Sequence, residues 1–127
     1  MAKKDLKYYY KKAKKEGFAM VQFNFSTQEQ LQGIVQAGIH LRAPLLVGTS
    51  EGDSKFLGKA QAVALVESYQ KETKLPIFLN FDHGKSFGAV KEAIETGYDA
   101  VHFDGSSYSF KENIAITKRV VALAKKN

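Results

Sequence analysis

Four times in succession this sequence places a short apolar run ahead of a stretch with helical periodicity, and that alternation constrains the fold more than any other feature. After a charged leading segment, Ala19–Phe25 is apolar and β-prone, and Leu31, Ile34, Val35, Gly38 and Ile39 then recur at helical spacing. Ser26 with Glu29 reads as the capping box that opens this helix, and Pro44 ends it. Leu45–Gly48 is a second buried strand, Gly52 and Asp53 mark a loop, and Val63, Val66 and Tyr69 define the next helix. Pro76 opens the strand Ile77–Phe81, Asp82-His83-Gly84 is its loop, and Val90, Ala93 and Ile94 lie on a helix closed by Gly97. Ala100–Phe103 is a fourth strand, Asp104-Gly105-Ser106 a loop, and Ser109 with Glu112 caps a helix carrying Ile114, Val120, Val121 and Ala124.

Strands this apolar need cover on both faces, and crossover helices supply it when the strands run parallel. The predicted fold class is therefore α/β. It has four βα units with a preceding helix in one domain over residues 1–127, with 1–17 as a leading basic helix and 18–127 as the βα units. A (β/α)8 barrel takes ~250 residues and eight such units, so the expectation is half of a TIM barrel. Lys125-Lys126-Asn127 reads as a helix end cut at an αβ junction. The outer strands of a half barrel leave backbone unpaired beside apolar surface, which predicts pairing with a second copy, pairing with a missing C-terminal half, or aggregation.

Composition narrows the chemistry. Without cysteine there is no disulfide, thiolate nucleophile or cysteine-held metal, so any metal must be bound by His, Asp, Glu or Asn. No apolar run approaches the ~20 residues of a membrane span, and the charged start is no signal core, so a cytoplasmic location is the default. The net charge of +6 is concentrated in Lys3, Lys4, Lys7, Lys11, Lys12, Lys14 and Lys15. A nucleic-acid patch would use such lysines. A solvated helix face is preferred, because one cluster carries no base-reading chemistry. Tyr8, Tyr9 and Tyr10 cannot share one helix face, so at least one packs inward.

In βα repeats, ligands bind at the carboxyl ends of the strands. Each strand end here is polar: Asn24, then Thr49 and Ser50, then Asp82 and His83, then Asp104 with Ser106. His83 offers a neutral nitrogen ligand, and Asp82 beside it can carry a proton. His40 reads as a surface residue and His102 as packed or hydrogen-bonded within its strand; neither is given a role.

The segments Gly17 to Asn24, Glu29-Gln30-Leu31-Gln32, Ser50-Glu51-Gly52, Phe81 to Phe87, and Asp104-Gly105-Ser106 with Glu112-Asn113 carry a resemblance. In order and spacing they resemble the N-terminal half of class II fructose-bisphosphate aldolases. The resemblance implies a zinc-dependent lyase, usually a dimer or tetramer, that reversibly cleaves fructose 1,6-bisphosphate to dihydroxyacetone phosphate and glyceraldehyde 3-phosphate. Related members act on tagatose 1,6-bisphosphate. Carried over by position, His83 matches the first zinc-binding histidine and Asp82 the catalytic acid/base. Asp104 matches an aspartate near the metal associated with a second cation, and Asn24 and Ser50 match substrate-facing residues, Ser50 on the phosphate side. The chain departs from the family at Asn80 and Ser107, where a histidine is common, and at Tyr108-Ser109, where Leu-Pro is common. The remaining zinc ligands and phosphate loops belong to a second half, so the implied site is complete only with it. The residues alone also leave two alternatives, a non-catalytic self-associating half barrel and a basic anion-binding module.

Overall fold

The structure, a computed structural model, describes residues 5–126. Its elements in chain order are α1 (Leu6–Glu16), β1 (Gln22–Asn24), α2 (Gln28–Leu41), β2 (Leu45–Ser50), α3 (Glu51–Leu57), α4 (Lys59–Thr73), β3 (Ile77–Gly84), α5 (Phe87–Thr96), β4 (Ala100–Phe103) and α6 (Phe110–Ala124). The strands pair in parallel in the order β1-β2-β3-β4, each βα unit beside the next. Lys3, Lys4 and Asn127 lie outside the described residues.

Local chemistry explains four differences from the sequence expectation. The first strand is only Gln22–Asn24, in register with Leu46, Val47 and Gly48 of β2; Phe25 adds one last backbone bond to the Gly48 carbonyl at 2.9 Å before the chain turns into α2. The capping box of α2 is Thr27 with Gln30, not Ser26 with Glu29; the Gln30 side chain also accepts the Ser26 N–H at 2.7 Å. Gly52 and Asp53 are not a loop but the first turn of α3, where Ser50 is the N-cap and Asp53 completes its own capping box. Asp82, His83 and Gly84 are not a loop either, since β3 continues through them. The box predicted at Ser109 and Glu112 forms as expected.

The sheet has two unlike faces. Leu45, Val47, Ile77, Leu79 and Phe81 turn to the helices and join Leu31, Val35, Ala62, Val66, Val90 and Ala93 in the core. Within it the Thr49 and Tyr98 hydroxyls bond at 2.8 Å, and the Tyr98 ring stands edge-on to Phe81. Strand alternation sends the intervening residues to the opposite face. Near the start of β3 that face is covered by Tyr9 of α1, whose ring lies 5.5 Å from that of Phe78. Tyr9 is thus the inward tyrosine, while Tyr8 and Tyr10 are exposed, as are Lys7, Lys11, Lys12, Lys14 and Lys15.

Both margins of the sheet leave apolar surface open. Beside β1 a groove of about 540 Å³ is lined by Phe18, Met20, Val21, Phe23, Leu41 and Leu45. On α6, which follows β4, Phe110, Ile114 and Val121 are exposed. No described helix is long and apolar enough to cross a membrane.

Candidate active site

Neighbours in a regular strand point to opposite faces, so Asp82 and His83 could not serve one site without a distortion. The distortion is present. His83 has a left-handed φ of 54°, and the β3–β4 register shifts between Phe81 and Gly84. A non-glycine residue in this conformation is uncommon, and held strain of this kind concentrates at functional sites. Gly84 completes the bend, since a Cβ there would come within 2.6 Å of both the Phe81 ring and the Val90 side chain. As a result, ligand atoms from Asp82, His83 and His102 all lie within 4.8 Å of one another.

Asp82 is gripped from both sides. Asn24 Nδ2 donates to its Oδ2 at 2.9 Å, and His102 Nδ1 stands 3.3 Å from its Oδ1. Partial burial pushes the carboxyl pKa up, but these two bonds and the nearby imidazoles outweigh it, and the net shift is downward. Asn24 is itself held by Gln22, whose Nε2 donates to Asn24 Oδ1 at 2.8 Å and whose Oε1 accepts from Asn80 Nδ2 at 2.9 Å. This amide network crosses the backbone of Gly48, where any Cβ would strike the Asn24 and Gln22 side chains.

His83 is held in the same way by Asp104, Nδ1 to Oδ2 at 3.0 Å. Its pKa is raised, first by that bond and then by the charge of Asp82, while the Asp104 carboxyl lies far below the usual carboxylate range through its bonds to His83 and Ser106. Two further bonds fix the loop after β3. Glu51 accepts the Lys85 N–H at 3.0 Å, and the Tyr108 hydroxyl donates to the Lys85 carbonyl at 3.1 Å.

The structure therefore brings together Asn24, Asp82, His83 and Asp104. Ser50 pairs with Asp82 in the ladder, but its hydroxyl is engaged in capping α3, donating to Asp53 Oδ2 at 2.6 Å. His102 was passed over in the sequence. It is exposed and hydrogen-bonded rather than packed, and its ring centroid is 4.6 Å from that of His83. The available signal was its spacing, two residues before Asp104, the interval at which extended backbone returns a side chain to one face. Gln22 gave no signal of its own.

A family model described as class-II fructose-bisphosphate aldolase matches residues 4–127. The chain belongs to that family. It is 37% identical over 114 residues to a fructose-bisphosphate aldolase of Helicobacter pylori (strain ATCC 700392 / 26695), covering 89% of this chain and 37% of the relative. To a probable fructose-bisphosphate aldolase of Bacillus subtilis (strain 168) it is 38% identical over 115 residues, covering 88% of this chain and 40% of the relative. Among solved structures, the YdjI aldolase of Escherichia coli K12 superposes with a TM-score of 0.84 at 24% identity, over 94% of this chain and 46% of that one. The fructose-bisphosphate aldolase of Campylobacter jejuni superposes with a TM-score of 0.81 at 22% identity, over 93% and 41% respectively. The fold is thus that of the aldolases, and the chain spans less than half the length of these relatives.

Class II aldolases are generally zinc-dependent, and the donor set here is compatible with that metal. A carboxylate can only accept a hydrogen bond, so each Nδ1 facing one carries the proton. In the neutral rings of His83 and His102 the lone pair then sits on Nε2, the tautomer that carboxylate partners impose on zinc-binding histidines.

Proposed function

We propose that this chain carries the acid/base and metal-binding part of a class II aldolase that reversibly cleaves fructose 1,6-bisphosphate, completed by polypeptide that closes the barrel. Family membership supports the reaction class. The observation that carries the residue assignment is the Asp82–His83 bend, which sets a deprotonated carboxylate and an imidazole on one rim. His83 would hold the zinc, with Asp104 orienting its ring beside any second cation. The metal, when bound, supplies Lewis-acid stabilisation of negative charge developing on the substrate's carbonyl side.

In this reading Asp82 moves the proton of the hydroxyl at the scissile bond. Its lowered pKa keeps it ready to accept, and the Asn24 and His102 bonds fix the direction in which its lone pairs point. Asn24, next to it, contacts the substrate backbone, and Ser50 lies toward a phosphate. The polar carboxyl end of that sheet face, with Asn24, Asn80 and Asp82, suits a polyhydroxylated substrate better than an apolar one.

The test is retro-aldol turnover of fructose 1,6-bisphosphate by this chain co-expressed with the C-terminal portion of a family member, followed by release of the triose phosphates. Zinc-dependent turnover is expected, with Asp82→Asn reducing kcat by ~10²–10⁴-fold. An assembled, zinc-loaded complex with no turnover would reject the activity.

The open margins support a second element of the proposal. The groove beside β1 and the exposed apolar residues of α6 mark the surfaces where barrel-closing polypeptide docks. For this chain alone in solution the occupant is a second copy, β1 of each meeting β4 of the other.

A further inference from the structure

We propose that His102 is a metal ligand, so that this chain presents two imidazoles, His83 and His102, to one divalent cation. The inference rests on the metal-binding role given to His83 above, but not on the aldolase activity.

Three observations carry it. First, the two rings stand 4.6 Å apart between centroids, close enough for a shared partner, and both side chains are about half exposed, at 58% for His83 and 49% for His102. Neither ring is needed to fill the core. Second, each ring is anchored through Nδ1 by a separate carboxylate, His83 by Asp104 and His102 by Asp82. Neither Nε2 has a hydrogen bond among the described residues, so each ring nitrogen left over is open to a ligand. Third, the backbone at His83 is left-handed, and with that bend its ligand atom lies within 4.8 Å of those of Asp82 and His102.

Asp82 then has two linked tasks. It holds His102 through one oxygen and takes Asn24 through the other, so movement of the metal-bearing ring is coupled to the orientation of the proton-carrying carboxylate. The remaining coordination positions go to water or to the barrel-closing polypeptide, as a catalytic site with open positions requires.

The experiment titrates the 127-residue chain with Co²⁺ and with Zn²⁺, reading calorimetry, the visible absorption of Co²⁺ and the imidazole nitrogens by long-range ¹H–¹⁵N NMR. One cation per chain is expected, with the Nε2 signals of both His83 and His102 moving on Zn²⁺ addition. His83→Gln and His102→Gln should each weaken binding by ~10-fold or more, and His40→Gln should leave it unchanged. The NMR readout uses the unaltered chain and so is independent of whether a variant folds. An unmoved His102 Nε2, or wild-type affinity in His102→Gln, would overturn the proposal while leaving His83 and the aldolase reading intact. Binding through both rings in a complex without turnover would uphold it and reject the activity instead.

Discussion

Nδ1 of His83 and Oδ2 of Asp104 stand 3.0 Å apart, joining the ends of β3 and β4 across 21 positions of sequence. The pair has opposed titrations. The raised His83 pKa contributes stability that is fully present below the ordinary imidazole value of 6.5 and is lost as pH rises through the raised one. The lowered Asp104 pKa contributes stability present above the ordinary carboxyl value of 3.8 and lost as pH falls through the depressed one. Their joint contribution is greatest between those ordinary values. In the metal-free chain, an NMR titration should give a His83 midpoint above 6.5. Asp104→Asn should bring that midpoint down; if it does not move, the bond does not control the ring.

Gly48→Ala should disturb the amide network without touching any titratable group. Its Cβ would crowd Asn24 and Gln22, and overpacking of this kind costs about 1–3 kcal/mol, measurable by urea denaturation. Displacing Asn24 also removes a bond that holds the Asp82 pKa down, so that pKa should rise. An unchanged Asp82 titration in the folded variant would show that Asn24 is not what depresses it.

Tyr98→Phe should cost about 1–3 kcal/mol, because it strips the buried Thr49 hydroxyl of its partner while keeping the ring against Phe81. The double variant with Thr49→Val should recover much of that loss. Equal instability of the single and double variants would place the effect in packing rather than in the hydrogen bond.

Leu41→Glu, at a position 71% exposed in the groove beside β1, should favour the monomer in sedimentation velocity, where the unaltered chain is expected to self-associate. A wild-type chain that stays monomeric and folded at micromolar concentration would remove the case for pairing through this face.

The parallel βα order was legible because every strand is bounded by a change of period and followed by a stripe that needs burial. Ala100–Phe103 even falls where the sequence put it. What was hidden depended on pairing. Asp82-His83-Gly84 looked like a loop because it is polar and ends in glycine, yet β4 and β2 hold its backbone as strand. Ser50 and Asp53 carried the spacing of a helix start, but Gly52 between them drew the reading toward a turn. Asn24, Asp82, His83 and Asp104 could be named from their places at strand ends. His102 had only its spacing to Asp104 to mark it; that its ring meets Asp82 depends on the register between β3 and β4, which no local pattern states.

The left-handed backbone at residue 83 also limits how this position can drift. Asn, Asp and Gly adopt that conformation at little cost, whereas Val, Ile and Thr are excluded by their branched Cβ whatever their chemistry. A descendant that no longer needed the imidazole would therefore pass to Asn or Gly first and keep its shape. Saturation replacement at 83 scored for folding alone should return that narrow spectrum, and scored for metal retention it should return histidine. The difference between the two spectra separates what the chain's geometry demands from what its chemistry demands.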